Sequence, residues 1–342
     1  MTTRAATIYD VAAFAGVGRT TVSRVLNGLG NVKDATRARV LDAIHQLRYK
    51  ANVQARLLAG GRSHSVRLVF PANDEIGPLG WYNLLIESGA LRGCARAGLH
   101  LRMTQVFAHS LNRHERILDS LAEEPCDGVI LAPPFSDDAD LIDLLHRRHV
   151  PVSLLAAGPE TRVLAAGIGI DDEAAGYDLT RHLIGLGHCR FAFILGLREH
   201  ISAGERYEGF RRALQEAGLA DDAFIAFRGT LNFSAGQAHL QSIIDSGFKP
   251  TAVICANDDM AAGALYRAYQ AGLRVPEDMT IVGFDDAPFS VMLSPPLTTI
   301  AQPVFIMAQK AVEIILSQIE GRARTYELEP HRLIVRDSAR AV

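Results

Sequence analysis

From Val66 onward, short apolar runs alternate with amphipathic stretches of helical period, and that alternation leaves few folds open. Val66–Phe70, Leu99–Val106, Gly128–Leu131, Val152–Leu155, Phe191–Leu195, Ala252–Cys255 and Thr280–Phe284 are the strand candidates. Leu84–Ala97, Asp172–Leu186, Glu205–Ala217 and Asp258–Ala271 read as helices between them. A strand can rejoin its sheet in parallel only through a long crossover, usually a helix, so the pattern predicts parallel sheets covered by helices. Ligands of such sheets gather at the carboxyl ends of the strands. Polar residues just after strands are therefore the candidates: Asn257-Asp258, Asp285-Asp286, and Arg206 beyond the loop that follows Phe191–Leu195.

The first sixty residues differ in charge and period. Residues 1–62 hold ten basic side chains against three acidic ones, seven positive charges on a chain whose net charge is −3. A compact basic unit on an acidic body is the footprint of a polyanion-binding module. Within it Thr7 caps a helix and Asp10 closes a capping box. Ile8, Val11, Ala12 and Ala15 recur at helical spacing with Phe14 adding bulk near that face, and Gly16 supplies the positive φ that ends the helix. A second helix, Arg19 to Asn27, turns Val22, Val25 and Leu26 inward, and a third, Asp34 to Leu47, carries Val40, Leu41, Ile44 and Leu47. Two short helices joined by a glycine turn make a helix-turn-helix, whose second helix enters the DNA major groove.

The remaining features narrow the function further. At 342 residues the chain suits two or three units, and no apolar run approaches a membrane span. With no signal-peptide pattern at the N-terminus and four scattered cysteines without CxxC spacing, the expectation is a cytoplasmic protein with reduced thiols. His182, His188 and His200 lack metal-ligand spacing, and Gly167-Ile168-Gly169 opens no phosphate-binding helix, so no enzyme, metal or cofactor is expected. A solute-binding transport protein could share the α/β body, but would carry a signal peptide and no basic headpiece.

The stretch TIYDVAAFAGVGRTTVSRVLNG, followed by TRARVLDAIHQLRYKAN, closely resembles the headpiece of the LacI family. The segments LIGLGHCRFAFILG, RYEGFRRAL, CANDDMAAGAL, VPEDMTIVGFDD and PPLTTIAQP resemble its effector domain, which is similar to periplasmic sugar-binding proteins. The resemblance implies an all-α helix-turn-helix headpiece over residues 1–51, a hinge helix and linker over 52–62, and an effector-binding domain over 63–342. That domain would have two parallel-sheet subdomains, one of about 63–165 and 302–321, the other of about 166–301 and 322–342. It also implies DNA contacts. Arg19 and Thr20 open the recognition helix with Arg24 one turn later, and an arginine can pair bidentately with guanine. Thr7, Tyr9, Thr21, Ser23 and Asn27 join the DNA-facing set as phosphate, capping or positioning contacts. Asn52 caps the hinge helix, Leu58 is its minor-groove wedge, and Ala55 and Arg56 flank it.

For the effector the resemblance implies Arg206 and Asp285 as principal contacts, with Ser202, Asn257, Gln302 and the aromatic pair Trp81 and Tyr82 around them. Arginine donors and a carboxylate acceptor suit vicinal hydroxyls, so a carbohydrate is the leading ligand, with a purine or other corepressor as the alternative. The expected assembly is a homodimer on a pseudo-palindromic double-stranded operator, since no leucine-heptad extension follows Arg336. Several positions depart from the family pattern. Gly18 stands where a capping serine is usual, Ala51 replaces a proline, Ala156-Ala157 replace an acidic residue, Leu231 replaces an aromatic one, and Ala72–Gly80 is long.

Overall fold

The computed structural model describes residues 6–26, 32–47, 49, 62–72, 80–323 and 325–342. Two compact units divide it, Met1–Ser63 and His64–Val342. In the first, α1 (Ile8–Ala15), α2 (Arg19–Leu26) and α3 (Asp34–Gln46) enclose a small core of Val11, Ala12, Ala15, Val22, Val25, Val40 and Ala43. The capping box forms as its spacing predicts: Asp10 N–H donates to Thr7 Oγ1 at 3.4 Å, and Thr7 N–H donates to Asp10 Oδ2 at 2.7 Å. Gly16 takes φ +63° at the end of α1. Leu41, expected on the buried face of α3, is more than half exposed, as is Phe14 beside the buried face of α1. The buried stripe of α3 passes instead through Val40, Ala43 and half-buried Ile44 and Leu47, positions spaced by three or four, and Leu41 lies about 100° around the helix from Val40.

The second unit is built on two parallel sheets. The first, in order β11-β5-β4-β3-β1-β2, comprises β1 (Ser65–Pro71), β2 (His100–Val106), β3 (Gly128–Leu131), β4 (Val152–Leu155), β5 (Gly167–Gly169) and β11 (Tyr326–Leu328). The second, in order β7-β6-β8-β9, comprises β6 (Phe191–Leu195), β7 (Phe224–Arg228), β8 (Ala252–Cys255) and β9 (Thr280–Val282). Burial on both faces explains the unbroken apolar runs: every residue of β3, β4, β6, β8 and β9 is buried. A third, two-stranded antiparallel piece pairs β10 (Thr299–Ala301) with β12 (Arg332–Ile334) beside the second sheet.

Crossover helices cover the sheets. On the first lie α4 (Trp81–Arg96), α5 (Arg113–Glu123), α6 (Ala139–Arg147), the single turn α7 (Pro159–Arg162) and the late-returning α12 (Val304–Ile319). The second carries α8 (Asp172–Gly185), α9 (Ile201–Glu216), α10 (Phe233–Asp245) and α11 (Asp258–Gln270). Helix pairs are drawn together by glycines. A Cβ on Gly209 of α9 would stand 2.0 Å from the Glu173 carbonyl oxygen, and one on Gly176 of α8 would stand 2.1 Å from that of Arg206. Gly236 and Gly263 make the same reciprocal contact between α10 and α11.

Sheet membership corrects the expected subdomain boundaries. β5 and β11, which fall inside the stretches 166–301 and 322–342, join the first sheet, β5 pairing with β4 and β11 with β5. β5 went unrecognised because it is Gly-Ile-Gly, a poor strand by composition. Its glycines are demanded from outside: a Cβ on Gly167 would lie 2.4 Å from the Leu154 carbonyl oxygen, and one on Gly169 would lie 2.4 Å from the Tyr326 hydroxyl.

Candidate functional site

In the headpiece, α2 turns Val22 and Val25 into the core, which leaves Arg19, Thr20 and Arg24 exposed. Thr21 and Ser23 are half-buried at the edges of that face. Tyr9, 63% exposed on α1, is joined to this surface: Arg19 Nη1 donates to its hydroxyl at 3.0 Å, and the guanidinium lies 5.7 Å from the ring centroid. Thr7 is already occupied, its hydroxyl donating to Asp10 Oδ2 at 2.7 Å. Gly18 precedes α2 and accepts from Thr21 and Val22 N–H through its carbonyl, with no side chain to cap the helix. Asn27, Asn52, Ala55, Arg56 and Leu58 lie outside the described residues.

In the second unit the strand ends converge as their sheet positions require. The loop after β6 leads into α9, whose first two turns hold Ser202 and Arg206. β8 leads to Asn257, β9 to Phe284 and Asp285, and β10 to Gln302. Arg206, only 6% exposed, is fixed on every side. Its Nε donates to Asp172 Oδ1 at 2.8 Å, its Nη1 donates to the Ala256 carbonyl at 2.6 Å, and its Cζ sits 3.8 Å from the Phe284 ring centroid. Asp285 Oδ1 stands 3.9 Å from Nη1 and accepts from Gln302 Nε2 at 2.6 Å. Burial pushes the Asp285 carboxyl up to about 7, against the pull of Arg206. Its backbone takes φ +118°, a region unusual for a side-chain-bearing residue, held where its N–H donates to the Ile300 carbonyl at 2.8 Å.

The two aspartates of the strand-end turn divide their work. Asp286 accepts from Arg336 Nη2 at 2.6 Å and from Ser290 Oγ at 3.2 Å, which ties the turn to the C-terminal segment. Asp285 faces Arg206. Asp258, fully buried, is structural as well, accepting from Thr299 Oγ1 at 2.7 Å and Ala287 N–H at 2.8 Å. Asn257 caps α11 through Met260 N–H at 2.9 Å and donates Nδ2 to the Leu231 carbonyl at 2.8 Å.

Tyr82 comes to this cluster from the first subdomain. Burial, reinforced by Asp285, holds its hydroxyl far above the ordinary tyrosine range, so it stays a donor. Its neighbour Trp81 is 40% exposed and packs at 6.2 Å against Phe289. Of the predicted set, Asp285 meets both Arg206 and Gln302, Tyr82 lies within electrostatic reach of Asp285 and Arg206, and Asn257 follows Ala256, whose carbonyl accepts from Arg206. Ser202 is buried in the first turn of α9, and Trp81 stands at the aromatic edge. Asp172 was missed, although it anchors Arg206 and is fully buried. It follows β5, and with that strand unrecognised its place just after a strand end was hidden.

A second row of polar groups crosses the seam between the subdomains. Asp137, after β3, accepts from Gly158 N–H at 2.7 Å, and a Cβ on Gly158 would lie 2.5 Å from Ile201 Cγ2 of α9. Arg162 of α7 donates to the Ala157 carbonyl at 2.5 Å and to Glu205 Oε2 of α9 at 3.0 Å. Asp137 thus reaches, from the neighbouring strand, the loop that holds Ala156-Ala157. Burial raises Asp137 to about 6 and Glu205 to about 7.

Known proteins share this arrangement. Residues 7–52 match the profile "Bacterial regulatory proteins, lacI family", and residues 180–339 match "Periplasmic binding protein-like domain". The HTH-type transcriptional repressor PurR of Aliivibrio salmonicida is 33% identical over 328 residues, 95% of this chain and 96% of that one. The structure of the Lac repressor dimer bound to operator and the anti-inducer ONPF superposes with a TM-score of 0.85 at 29% identity, covering 99% of this chain and all of the other. That of the transcriptional regulator CelR–cellobiose complex gives 0.74 at 32% identity over 98% of this chain and 100% of that one. With a helix-turn-helix headpiece ahead of two parallel sheets and this likeness along nearly its whole length, the chain belongs to the LacI family of DNA-binding transcriptional regulators.

Proposed function

We propose that this regulator is a cytoplasmic repressor that binds a pseudo-palindromic operator as a homodimer and takes a carbohydrate in the cleft between its subdomains. The observation that carries the ligand reading is the buried Arg206–Asp285–Gln302 cluster at the strand ends: a carboxylate with an amide 2.6 Å away on one side and a fixed guanidinium 3.9 Å away on the other. Such a set can donate to and accept from neighbouring hydroxyls of one sugar ring. Ser202, Asn257 and Tyr82 complete the contacts, and Trp81 offers a ring face. The similarity to a regulator solved with cellobiose favours this class. The similarity to PurR keeps a purine corepressor as the second reading.

On DNA, Arg19, Thr20 and Arg24 face base edges, while Tyr9, Thr21, Ser23 and Asn27 set the register and Thr7 holds the helix start. Residues 52–62 act as the hinge, with Asn52 as cap and Ala55, Arg56 and Leu58 at the minor groove. The ligand changes operator affinity only through a preference for one subdomain arrangement. The protein acts by binding operator and ligand.

Selecting duplexes from a random pool with the purified protein, with and without a panel of sugars and nucleobases, tests this reading. The expected product is a palindrome with fixed half-site spacing whose recovery changes with a sugar. Recovery that changes only with a purine transfers the assignment to the second reading. Sequence-indifferent binding throughout overturns the headpiece assignment.

A further inference from the structure

The cleft holds more negative charge than its arginines can balance. Asp172, Asp285, Asp137 and Glu205 share Arg206 and Arg162. His200, in the same region, is pushed down to about 4 by burial and adds no charge at neutral pH. A fifth carboxylate, Asp259, has no hydrogen-bond or salt-bridge partner among the described residues, while burial alone raises it to about 6. Its location is informative. A Cβ built on Gly80 would stand 3.5 Å from Asp259 Oδ2, so the carboxylate lies against the residue that precedes Trp81 and Tyr82. Trp81, the next residue, pairs with Phe289 at a ring-centroid distance of 6.2 Å with planes inclined by 49°. Asp259 is also close enough to Asp285 to raise its carboxyl electrostatically.

Unmet hydrogen-bonding capacity points the same way. Gln302, only 6% exposed, donates Nε2 to Asp285 and leaves its Oε1 buried with no donor. Asp172 is fully buried and its Oδ2 is likewise unmatched. Two buried acceptors of the cleft are thus unmatched, Gln302 Oε1 and Asp172 Oδ2, and a buried acceptor left unmatched is costly. A phosphate or carboxylate ligand would bring further acceptors and more negative charge into a poorly solvated place. Hydroxyls would satisfy the acceptors. Only a cation would also offset the surplus carboxylate, and aromatic faces beside a carboxylate are the surroundings in which an ammonium group is held.

We propose that the effector is a polyhydroxy compound carrying a protonated amine, of the class of amino sugars and aminocyclitols. Its hydroxyls meet Arg206, Asp285 and Gln302, and its ammonium group lies at Asp259 beside Trp81 and Phe289. The assignment rests on the reading of this cleft as the effector site and adds the ligand's charge.

Calorimetric titration of the full-length protein at pH 7.5 tests it, with glucosamine, galactosamine and mannosamine each run beside its parent hexose, its N-acetyl form and its 6-phosphate. At least one amine is expected to bind about tenfold or more tightly than its neutral parent, in line with one desolvated charge-assisted contact. Asp259→Asn should erase that preference, read as the ratio of amine to parent-hexose affinity within the same variant, while Asp259→Glu should restore part of it. The proposal is overturned if the parent, N-acetyl or phosphate form binds as well as every amine, if none of the amines binds, or if Asp259→Asn keeps the preference. Parallel operator-binding assays separate the two levels. A neutral or phosphorylated sugar that alters operator affinity sinks only the amine. Indifference of operator binding to every compound removes the effector-site reading as well.

Discussion

Arg24 and Asp285 show how far one side chain can be separated from its surroundings. Arg24 is exposed on the last turn of α2, so removing it leaves the headpiece core untouched. Arg24→Ala should weaken specific operator binding by about 1–3 kcal/mol and relax the preference at one base pair per half-site, as read by competition among single-base operator variants. An unchanged preference profile would assign Arg24 to phosphate contact or to none. Asp285 is buried against Arg206 and Gln302, and its backbone is independently held by the Ile300 carbonyl. Asp285→Ala should therefore leave operator affinity intact and abolish the ligand response. Lost folding, seen as a collapse of the melting transition, would mean that the carboxylate is needed to neutralise Arg206. Within the adjoining pair, both acids follow a strand and look alike in sequence. Only the position of Arg336, fifty residues on, decides that Asp286 is structural.

At the scale of elements, α8 and α9 position the effector cluster, and glycine sets their separation. Gly209→Ala would force a methyl group to within 2.0 Å of the Glu173 carbonyl oxygen, so the helices must part at a cost of about 1–3 kcal/mol. Since Arg206 lies one turn away on the same helix, ligand affinity should fall together with the melting temperature. Gly204, also on α9, has open space where a methyl group would stand, with nothing within 4 Å, and Gly204→Ala should stabilise by about 0.5–1 kcal/mol. Equal effects of the two changes would show that close packing is not what selects glycine at 209.

The seam gives an element-scale pH dependence. Burial raises Glu205 to about 7 and Asp137 to about 6, both above an unfolded carboxyl, so the folded chain binds protons more tightly than the unfolded one between about pH 4 and 7. The stability these groups contribute is complete below the unfolded pKa and is lost as pH rises through 6 to 7. Glu205→Gln removes the larger part of that loss. Between pH 5.5 and 7.5, the variant's melting temperature should therefore fall less, or rise more, than that of the parent chain. Parallel profiles would place Glu205 outside the titration.

For the whole molecule, the distribution of charge matters more than its sum. The seven surplus positive charges of residues 1–62 ride on a body that is acidic overall. Operator affinity should fall steeply with salt, by about a thousandfold or more between 50 and 200 mM if a dimer neutralises six or more phosphates. Light scattering at micromolar concentration should report a dimer both with and without DNA. A tetramer, or a monomer that pairs only on the operator, would change how the two headpieces are brought to their half-sites.

Local rules were enough for the parts of this protein that local forces govern. The capping box at Thr7, the positive φ of Gly16, the buried strands and the polar residues at their ends could all be placed by period, by cap chemistry and by the geometry of parallel sheets. What the sequence left undetermined depends on groups far apart along the chain. The strand Gly167–Gly169 exists because Leu154 and Tyr326 pack where any side chain would collide, and with it come the true sheet edge and Asp172. Asp137 meets Gly158, Arg162 meets Glu205, and Gln302 meets Asp285, each across a fold-made contact that no spacing encodes. Periodicity reports which face of an element is buried; which partner waits there is settled only when the sheets and helices close on one another.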